Sequence, residues 1–510
     1  MRLIDYLDKG ASLGSAQPCL TMDGADMTYA EVQALSWRFA RALDRSSIAA
    51  GAKVAILSGN DPTAFSCVFG ISRAGCVWCP INPRNEAAEN QFILDAFDCE
   101  ALFYASSFAP MVEKIRPNLP KLRLVVCLDG PIGGDPPLAE WTSGVGDAPF
   151  ERQPVDDLAL VPGTGGTTGK PKGVMLTGQN IEAMTAITLM SYPFEGRPVY
   201  LALAPLTHAA GVLCFPIMAH GGRIVIMHHP DIAEFLRLIE AYRVTHVFLP
   251  PTVIYMLLEH PKLNEADLSS LQCFWYGAAP ISPVRLKEAI ELIGPMAQLF
   301  GQTEAPMMIS TMAPRDHFNA DGSIAEQRLK SAGRPSPLVR VAILDGEGRE
   351  QPPGERGEIV VRGSLVMKGY YRNPEATAEA TVNGWHKTGD IGYLDADNFL
   401  YIVDRAKDMI ITGGFNVYSV EVEGALQAHE SVQDCAVMGL PDDKWGERVV
   451  AVIQPRAGAT VDAKALAAFV KDRIGSVKAP KQIEVWPDLP RSKVGKVLKS
   501  EIKARLVSGG

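Results

Sequence analysis

Residues 164–174 read Thr-Gly-Gly-Thr-Thr-Gly-Lys-Pro-Lys-Gly-Val. Glycines let a backbone turn tightly and bring its N–H groups up to an anion. Thr164, Thr167 and Thr168 add hydroxyl donors, and Lys170 and Lys172 add positive charge. The run is suited to holding a polyphosphate, yet it fits neither familiar template. A Walker A loop needs Gly, four residues, then Gly-Lys-Ser/Thr. Here Thr164 takes the first glycine position and Pro171 follows Gly169-Lys170. A dinucleotide fingerprint fails as well, because Thr168 stands where the last glycine counted from Gly163 should fall. The loop therefore holds phosphate by another scheme.

On both sides of the loop, short apolar runs alternate with amphipathic stretches. KVAILSG (53–59), ALFYAS (101–106), RLVVCLDG (123–130), RIVIMHH (223–229) and THVFLPP (245–251) read as buried strands. AEVQALSWRFARALD (30–44) and IAEFLRLIEAYR (232–243) read as helices. The alternation predicts an α/β fold, with helices on both faces of mixed sheets. After Gly333 the pattern changes to hairpin strands (VRVAILDGEGRE, GEIVVRG, NFLYIVDR), a β-barrel-like part of the large N-terminal domain. From about residue 408 a small α+β unit begins. A hinge is expected near Asp404–Asp408, dividing the chain into domains 1–404 and 405–510.

The 510 residues exceed one compact core, and 47% hydrophobic with 21% charged residues is ordinary for a globular enzyme. A net charge of −9 argues against a broad nucleic-acid surface, so a site for an anionic cofactor must be locally basic. No apolar run is long enough to span a bilayer, and the start, MRLIDYLDKG, lacks an apolar signal core. The expected location is cytoplasmic, with no integral membrane segment. Nine cysteines suit a reducing compartment; the C-x-x-C pair Cys76 and Cys79 lies in apolar AGCVWCPIN and reads as buried small hydrophobes. The nine histidines show no metal-ligand spacing.

Several later segments complement the loop. YGAAP (276–280) and FGQTE (300–304) are Gly-containing turns after apolar strands, where α/β sheets form their ligand crevice. Phe300 is placed to stack on a base, Thr303 to contact phosphate, and Glu304 to hold Mg²⁺ with phosphate oxygens. HKTGD (386–390) puts Asp390 in a turn, where a carboxylate can accept both hydroxyls of a ribose. DRAKD (404–408) and RSKVGK (491–496) add cations near the hinge and the C-terminus.

Together and in this order, these segments resemble the adenylate-forming superfamily, and within it the acyl-CoA synthetases. The resemblance spans almost the whole chain: the loop at 164–174, PLTH (205–208), YGAAP, FGQTE, TGD (388–390), DRAKDMIITGGFNVYSVEVE (404–423) and PRSKVGK (490–496). It implies two half-reactions. A carboxylate attacks the α-phosphate of Mg·ATP, giving acyl-AMP and pyrophosphate; the CoA thiol then attacks the acyl carbon and releases AMP.

By the resemblance, Lys496 bridges carboxylate and α-phosphate during adenylation. Thr164, Gly165, Gly166, Thr167, Thr168, Gly169 and Lys172 hold the departing phosphates, Thr303 the α-phosphate, and Glu304 Mg²⁺. Asp390 grips the ribose with Arg405 nearby. Ala278, Ala279, Pro280 and Phe300 frame the adenine, with Gly277 and Gly301 among the nucleotide-binding residues. Lys407 matches the hinge about which a mobile small domain rotates between half-reactions, bringing Gly413 and Gly414 over the acyl site. His208 gates the acyl pocket, and Leu299, Met307 and Met308 supply apolar walls. No basic residue marks a second carboxylate and no acidic residue in PLTHAAG receives an amine, which favours a medium-chain, aryl or alicyclic monocarboxylate. The alternative acyl acceptor is a carrier protein. A homodimer is also expected. Acetylation of Lys496 by a lysine acetyltransferase would remove its charge.

Three positions depart from the family pattern: Gly165 for the usual Ser, Gly178 for the usual His, and Leu299 for the Gly common before the aromatic residue.

Overall fold

Strands buried on both faces must be apolar along their whole length, and the two large sheets obey this. The structure, a computed structural model, describes the chain except for residues 165–169, 207–208, 406–407, 443, 492–496 and 509–510. A seven-stranded sheet runs in the order Gly369–Tyr370, Val174–Thr177, Leu158–Leu160, Val77–Pro80, Lys53–Leu57, Cys99–Tyr104, Leu124–Cys127. From Leu158–Leu160 to Leu124–Cys127 the pairs are parallel, whereas Val174–Thr177 runs antiparallel to both Leu158–Leu160 and Gly369–Tyr370.

The nine-stranded sheet has a parallel centre made of Met296–Gln302, Cys273–Gly277, His246–Leu249, Val199–Ala202, Arg223–Ile226 and Pro18–Met22. Antiparallel strands flank it: Ala305–Met312 and Arg334–Pro335 on one side, Ala25–Thr28 on the other. A third, antiparallel sheet joins Val339–Leu344, Gly357–Gly363, Trp385–Leu394 and Leu400–Arg405; it is the barrel-like part.

Helices cover the sheets. Tyr29–Arg45 starts at a reciprocal cap: Thr28 Oγ1 accepts the Glu31 N–H, and Glu31 Oε2 accepts the Thr28 N–H at 2.7 Å. Its buried stripe Val32, Leu35, Phe39 and Leu43 follows the helical period. Helix Leu3–Gly14 also buries Leu3, Ile4, Tyr6 and Leu7. One continuous core fills the space between the two large sheets, including Val54, Trp78 and Phe103 from one and Tyr200, Trp275 and Leu299 from the other.

The small unit is a sheet of Phe415–Val417, Ile410–Thr412, Gly446–Pro455, Val432–Asp442 and Gln482–Val485, with helices Ser419–Gln427, Ala463–Ile474 and Lys499–Ser508. It has its own apolar cluster around Val422, Leu426, Val437 and Ile453. All nine cysteines are buried and free, Cys76 and Cys79 among them. Among the described residues no helix is long and apolar enough to cross a membrane.

Candidate active site

The neck of the phosphate loop is a short antiparallel bridge between Gly163 and Gly173, in which the Thr164 N–H donates to the Lys172 carbonyl at 2.9 Å. Strand Val174–Thr177 continues from it and pairs with Gly369–Tyr370, so Tyr370 sits opposite Val174. The Lys172 ammonium lies 4.8 Å from the centre of the Tyr370 ring. The same tyrosine donates its hydroxyl to Glu304 Oε1 at 2.7 Å. Burial and the neighbouring Glu304 carboxylate push the Tyr370 phenol well above the ordinary tyrosine range, so it stays a donor. Lys172, Tyr370 and Glu304 thus form one chain from loop neck to carboxylate. The loop residues Gly165, Gly166, Thr167, Thr168 and Gly169 lie outside the described residues.

Thr303 and Glu304 are the two residues of a tight hairpin turn, since Gln302 pairs with Ala305. FGQTE is therefore a strand end plus a β-turn that re-enters the sheet antiparallel. The ladder is irregular between Phe300 and Gln302, where Gly301 faces Met307. A Cβ at Gly301 would lie 2.5 Å from the Met307 backbone N, and Met307 itself has φ +63°. Only glycine tolerates that approach. Phe300 is half-buried at the junction of the main core and the barrel sheet.

Asp390 corrects a sequence expectation. HKTGD is not a turn; it lies inside the strand Trp385–Leu394. Gly389, at φ +72°, and a register shift after Ile391 buckle the strand locally, which a sequence reading takes for chain reversal. Asp390 stands directly opposite Arg405 on the neighbouring strand, with Arg405 Nε 2.7 Å from Asp390 Oδ1. Gln302 ties this strand to the hairpin. Its side-chain amide donates to the Thr388 carbonyl at 3.2 Å, and its oxygen faces His386 Nε2 at 3.2 Å. Burial holds the His386 imidazole below its ordinary value, so it is neutral and Nε2–H is the donor.

Gly277 ends the strand Cys273–Gly277, and Ala278 follows with φ +67°, an uncommon conformation for a residue with a Cβ. Ala278 and Pro280 are exposed and Ala279 half-buried, at the carboxyl edge of the parallel strands. Behind them, Tyr276 Oη lies 2.9 Å from His317 Nε2, while His317 Nδ1 bonds the Ala313 carbonyl at 3.1 Å. The carbonyl fixes Nδ1–H as donor, and because burial holds the imidazole neutral, Nε2 accepts the Tyr276 hydroxyl.

The loop leading to His208 hangs on Asn60, a buried residue after strand Lys53–Leu57. Its amide nitrogen donates to the carbonyls of Leu203, Ala204 and Met227, and its oxygen accepts the Leu206 N–H at 2.8 Å. Leu299 and Met308 are closed off in the main core and Met307 is half-buried. Gly178 has a local reason: a Cβ there would lie 2.1 Å from the Met1 carbonyl oxygen. Gly413 and Gly414, at φ +57° and +79°, form the turn between Ile410–Thr412 and Phe415–Val417, and Gly413 donates its N–H to Trp445 at 2.8 Å. That hairpin faces solvent, with Phe415 61% exposed. His208, Lys407 and Lys496 lie outside the described residues.

Contacts thus join Thr164 and Lys172 to Glu304 through Tyr370, and tie the Thr303–Glu304 hairpin through Gln302 to the strand that pairs Asp390 with Arg405, while Gly413–Gly414 belong to the small unit. Sequence reasoning missed Tyr370, Gln302 and Asn60; each works through contacts far along the chain, Tyr370 and Asn60 stand in no segment singled out from the sequence, and Gln302 sits inside FGQTE without having been given a role.

The sequence profile of AMP-binding enzymes matches residues 8–371, and that of the AMP-binding enzyme C-terminal domain matches 421–496. The chain belongs to the AMP-binding enzyme family. Among its relatives in this family, a medium/long-chain-fatty-acid–CoA ligase of Mycobacterium tuberculosis is 36% identical, covering 97% of this chain and 88% of the relative. A feruloyl-CoA synthase of an Amycolatopsis species is 34% identical, covering 94% of each. Among solved AMP-binding enzymes, an amide bond synthetase from Marinactinospora thermotolerans superposes with a TM-score of 0.89 at 31% identity, covering 98% of this chain and 99% of the other. The o-succinylbenzoate CoA synthetase of Bacillus subtilis gives 0.87 at 29% identity, covering 98% and 97%.

Proposed function

We infer that the chain activates a carboxylic acid with ATP and transfers the acyl group to CoA. It is an AMP-forming acid–thiol ligase, and ATP and CoA are its co-substrates. The observation that carries the reading is the Lys172–Tyr370–Glu304 chain, which places the polyphosphate loop beside a held carboxylate. A carboxylate oxygen attacks the α-phosphorus and the bond to the bridging oxygen breaks, so pyrophosphate leaves. The CoA sulfur then attacks the acyl carbon and AMP departs.

Glu304 suits Mg²⁺. A single oriented carboxylate matches a cation that takes one or two carboxylates plus phosphate oxygens. Among the described residues there is no group of three acidic, His or Cys ligands that would form a separate metal cage. When bound, the ion would neutralise charge on the departing phosphates. Asp390 accepts the ribose hydroxyls while Arg405 holds its carboxylate in place. Exposed Ala278 and Pro280, with half-buried Ala279 between them, form the ledge on which the adenine lies, with Phe300 behind.

In this reading Lys496 supplies the cation at the α-phosphate, Gly165–Gly169 the phosphate cradle, and His208 the gate of the acyl pocket. Domains 1–404 and 405–510 rotate about Lys407, which brings Gly413–Gly414 to the acyl site for the second step. The acid is a hydrophobic monocarboxylate, medium-chain, aryl or alicyclic, in keeping with the apolar Leu299, Met307 and Met308. The enzyme works in the cytoplasm as a homodimer, and acetylation of Lys496 switches it off. A panel of carboxylates scored by pyrophosphate release, with and without CoA, tests the reading; no carboxylate-dependent release would end it. A second reading, transfer to a carrier protein, is favoured by a 31% identical fatty acid–[acyl-carrier-protein] ligase of Streptomyces coeruleorubidus. Thioester formation with free CoA decides between the acceptors.

A further inference from the structure

Asp404 and Arg405 are consecutive on the strand Leu400–Arg405, so their side chains leave opposite faces. Arg405 turns to Asp390 and the nucleotide edge. Asp404 turns the other way, is buried, and reaches into the small unit. Its Oδ2 accepts the Ser419 N–H, its Oδ1 accepts the Ser419 hydroxyl at 3.0 Å, and Oδ1 also accepts the Arg405 N–H at 2.7 Å.

Ser419 opens the helix Ser419–Gln427, whose own preceding residue, Tyr418, provides no side-chain cap. A helix start carries unsatisfied N–H groups and partial positive charge. Asp404 supplies the missing carboxylate from a strand of the other unit. Lys499, the first residue of the last helix, closes the network: its Nζ lies 2.5 Å from Ser419 Oγ and 2.7 Å from Glu423 Oε1. Glu423 in turn accepts the Val437 N–H at 2.8 Å. Burial pushes the Asp404 and Glu423 carboxyls up, and Lys499 opposes this in both.

This contact bridges two separately packed bodies. Strand Leu400–Arg405 pairs with Trp385–Leu394, whereas Val422 and Leu426 of the helix belong to the small unit's core. A second contact crosses at the same place, with the Arg356 guanidinium 4.7 Å from the centre of the Tyr418 ring. In this orientation the Gly413–Gly414 hairpin faces solvent, so it is not the arrangement that serves the thioester step.

We propose that Asp404 is a positioning residue for adenylation: its carboxylate latches the start of helix Ser419–Gln427 and holds the small unit in the orientation seen here. The latch opens before acyl transfer. Because Arg405 is its neighbour on the strand, grip on the ribose and grip on the small unit are carried by adjacent residues. The inference rests on the two-orientation reading above.

The test separates the half-reactions. Asp404→Asn and Asp404→Ala should lower carboxylate-dependent pyrophosphate release by about tenfold or more, as expected for loss of a charge-assisted contact. Thioester formation from supplied acyl-AMP and CoA should be unchanged or faster. Ser419→Ala, which keeps the backbone N–H bond, should show a smaller shift in the same direction. Since all nine native cysteines are buried, dyes placed on Glu379→Cys and Lys471→Cys report orientation directly. The ligand-free Asp404→Asn protein should populate a second energy-transfer state that the unaltered latch suppresses. Equal loss in both half-reactions, or an unchanged energy-transfer distribution, would overturn the proposal. If no carboxylate supports pyrophosphate release even with Asp404 intact, the ligase reading fails, and the energy-transfer comparison alone judges the latch.

Discussion

Asp390 and Arg405 face each other across adjacent antiparallel strands, with the guanidinium Nε 2.7 Å from the carboxylate. One side of the pair is almost closed to water: the Asp390 side chain is 6% exposed, the Arg405 side chain 47%. A carboxylate held in this way can offer its remaining lone pairs to a ligand without losing its own orientation. Asp390→Ala should reduce adenylation by about 100-fold and Arg405→Ala by about tenfold, the range of charge-assisted hydrogen bonds. Kinetics with ATP and 2′-deoxy-ATP check the assignment. The preference for ATP should vanish in Asp390→Ala; a retained preference would place the ribose elsewhere.

Tyr370 predicts a metal phenotype. Tyr370→Phe keeps the ring beneath Lys172 and removes only the hydroxyl held by Glu304. The Mg²⁺ concentration for half-maximal pyrophosphate release should rise by about tenfold, with little change in melting temperature. A double-mutant cycle with Glu304→Gln should show strong coupling. Independent, additive effects would mean that the tyrosine does not act through Glu304.

Lys496 and Lys407 should fail in opposite halves of the reaction. Lys496→Ala should lower adenylation by about 10²–10³-fold, the size of a lost transition-state charge contact, yet still make thioester from supplied acyl-AMP. Lys407→Pro should impair the thioester step more than adenylation. Parallel loss of both steps in either variant would refute that assignment.

Acid should weaken the body that carries Ala278, Ala279 and Pro280. Burial lowers the His317 pKa from 6.5 to about 4, and His246 likewise to about 3. Between those values and pH 6.5 the unfolded chain binds protons that the folded chain does not, so stability is full above pH 6.5 and falls as pH drops. His317 alone should remove about 2 kcal/mol by pH 5. Urea midpoints at pH 7 and pH 5 measure this, and His317→Gln should reduce the difference. An unchanged difference would show that His317 takes up its proton without penalty.

The layers were legible because buried parallel strands demand unbroken apolar runs. Lys53–Leu57, His246–Leu249 and Arg223–Ile226 fall inside the runs read from sequence. The segments around Thr303 and Glu304 were legible as glycine-bearing stretches, but their hairpin geometry was not, because Gln302–Ala305 pairing depends on a partner strand. Asp390 was misplaced for a related reason. A glycine with positive φ signals a turn or a bulge equally well, and only neighbouring strands decide which. Tyr370 and Asn60 left no local signal, and Asp404 was legible only as the start of the hinge segment, not as a cap for a helix of the small unit. Tyr370 lies 66 residues from Glu304, and a hydrogen bond over that distance is written in the fold rather than in any motif.

Asn60 has a consequence for remaking this enzyme. One buried amide ties together a strand end of the seven-stranded sheet and four backbone groups leaving the nine-stranded one. The segment before His208 is therefore suspended like a stay between two masts, and it cannot be shifted as a unit without cutting every line at once. Transplanting that segment from a relative carries over its side chains but not its tension. New acid preferences should be sought by exchanging single residues along it, with position 60 left as it is.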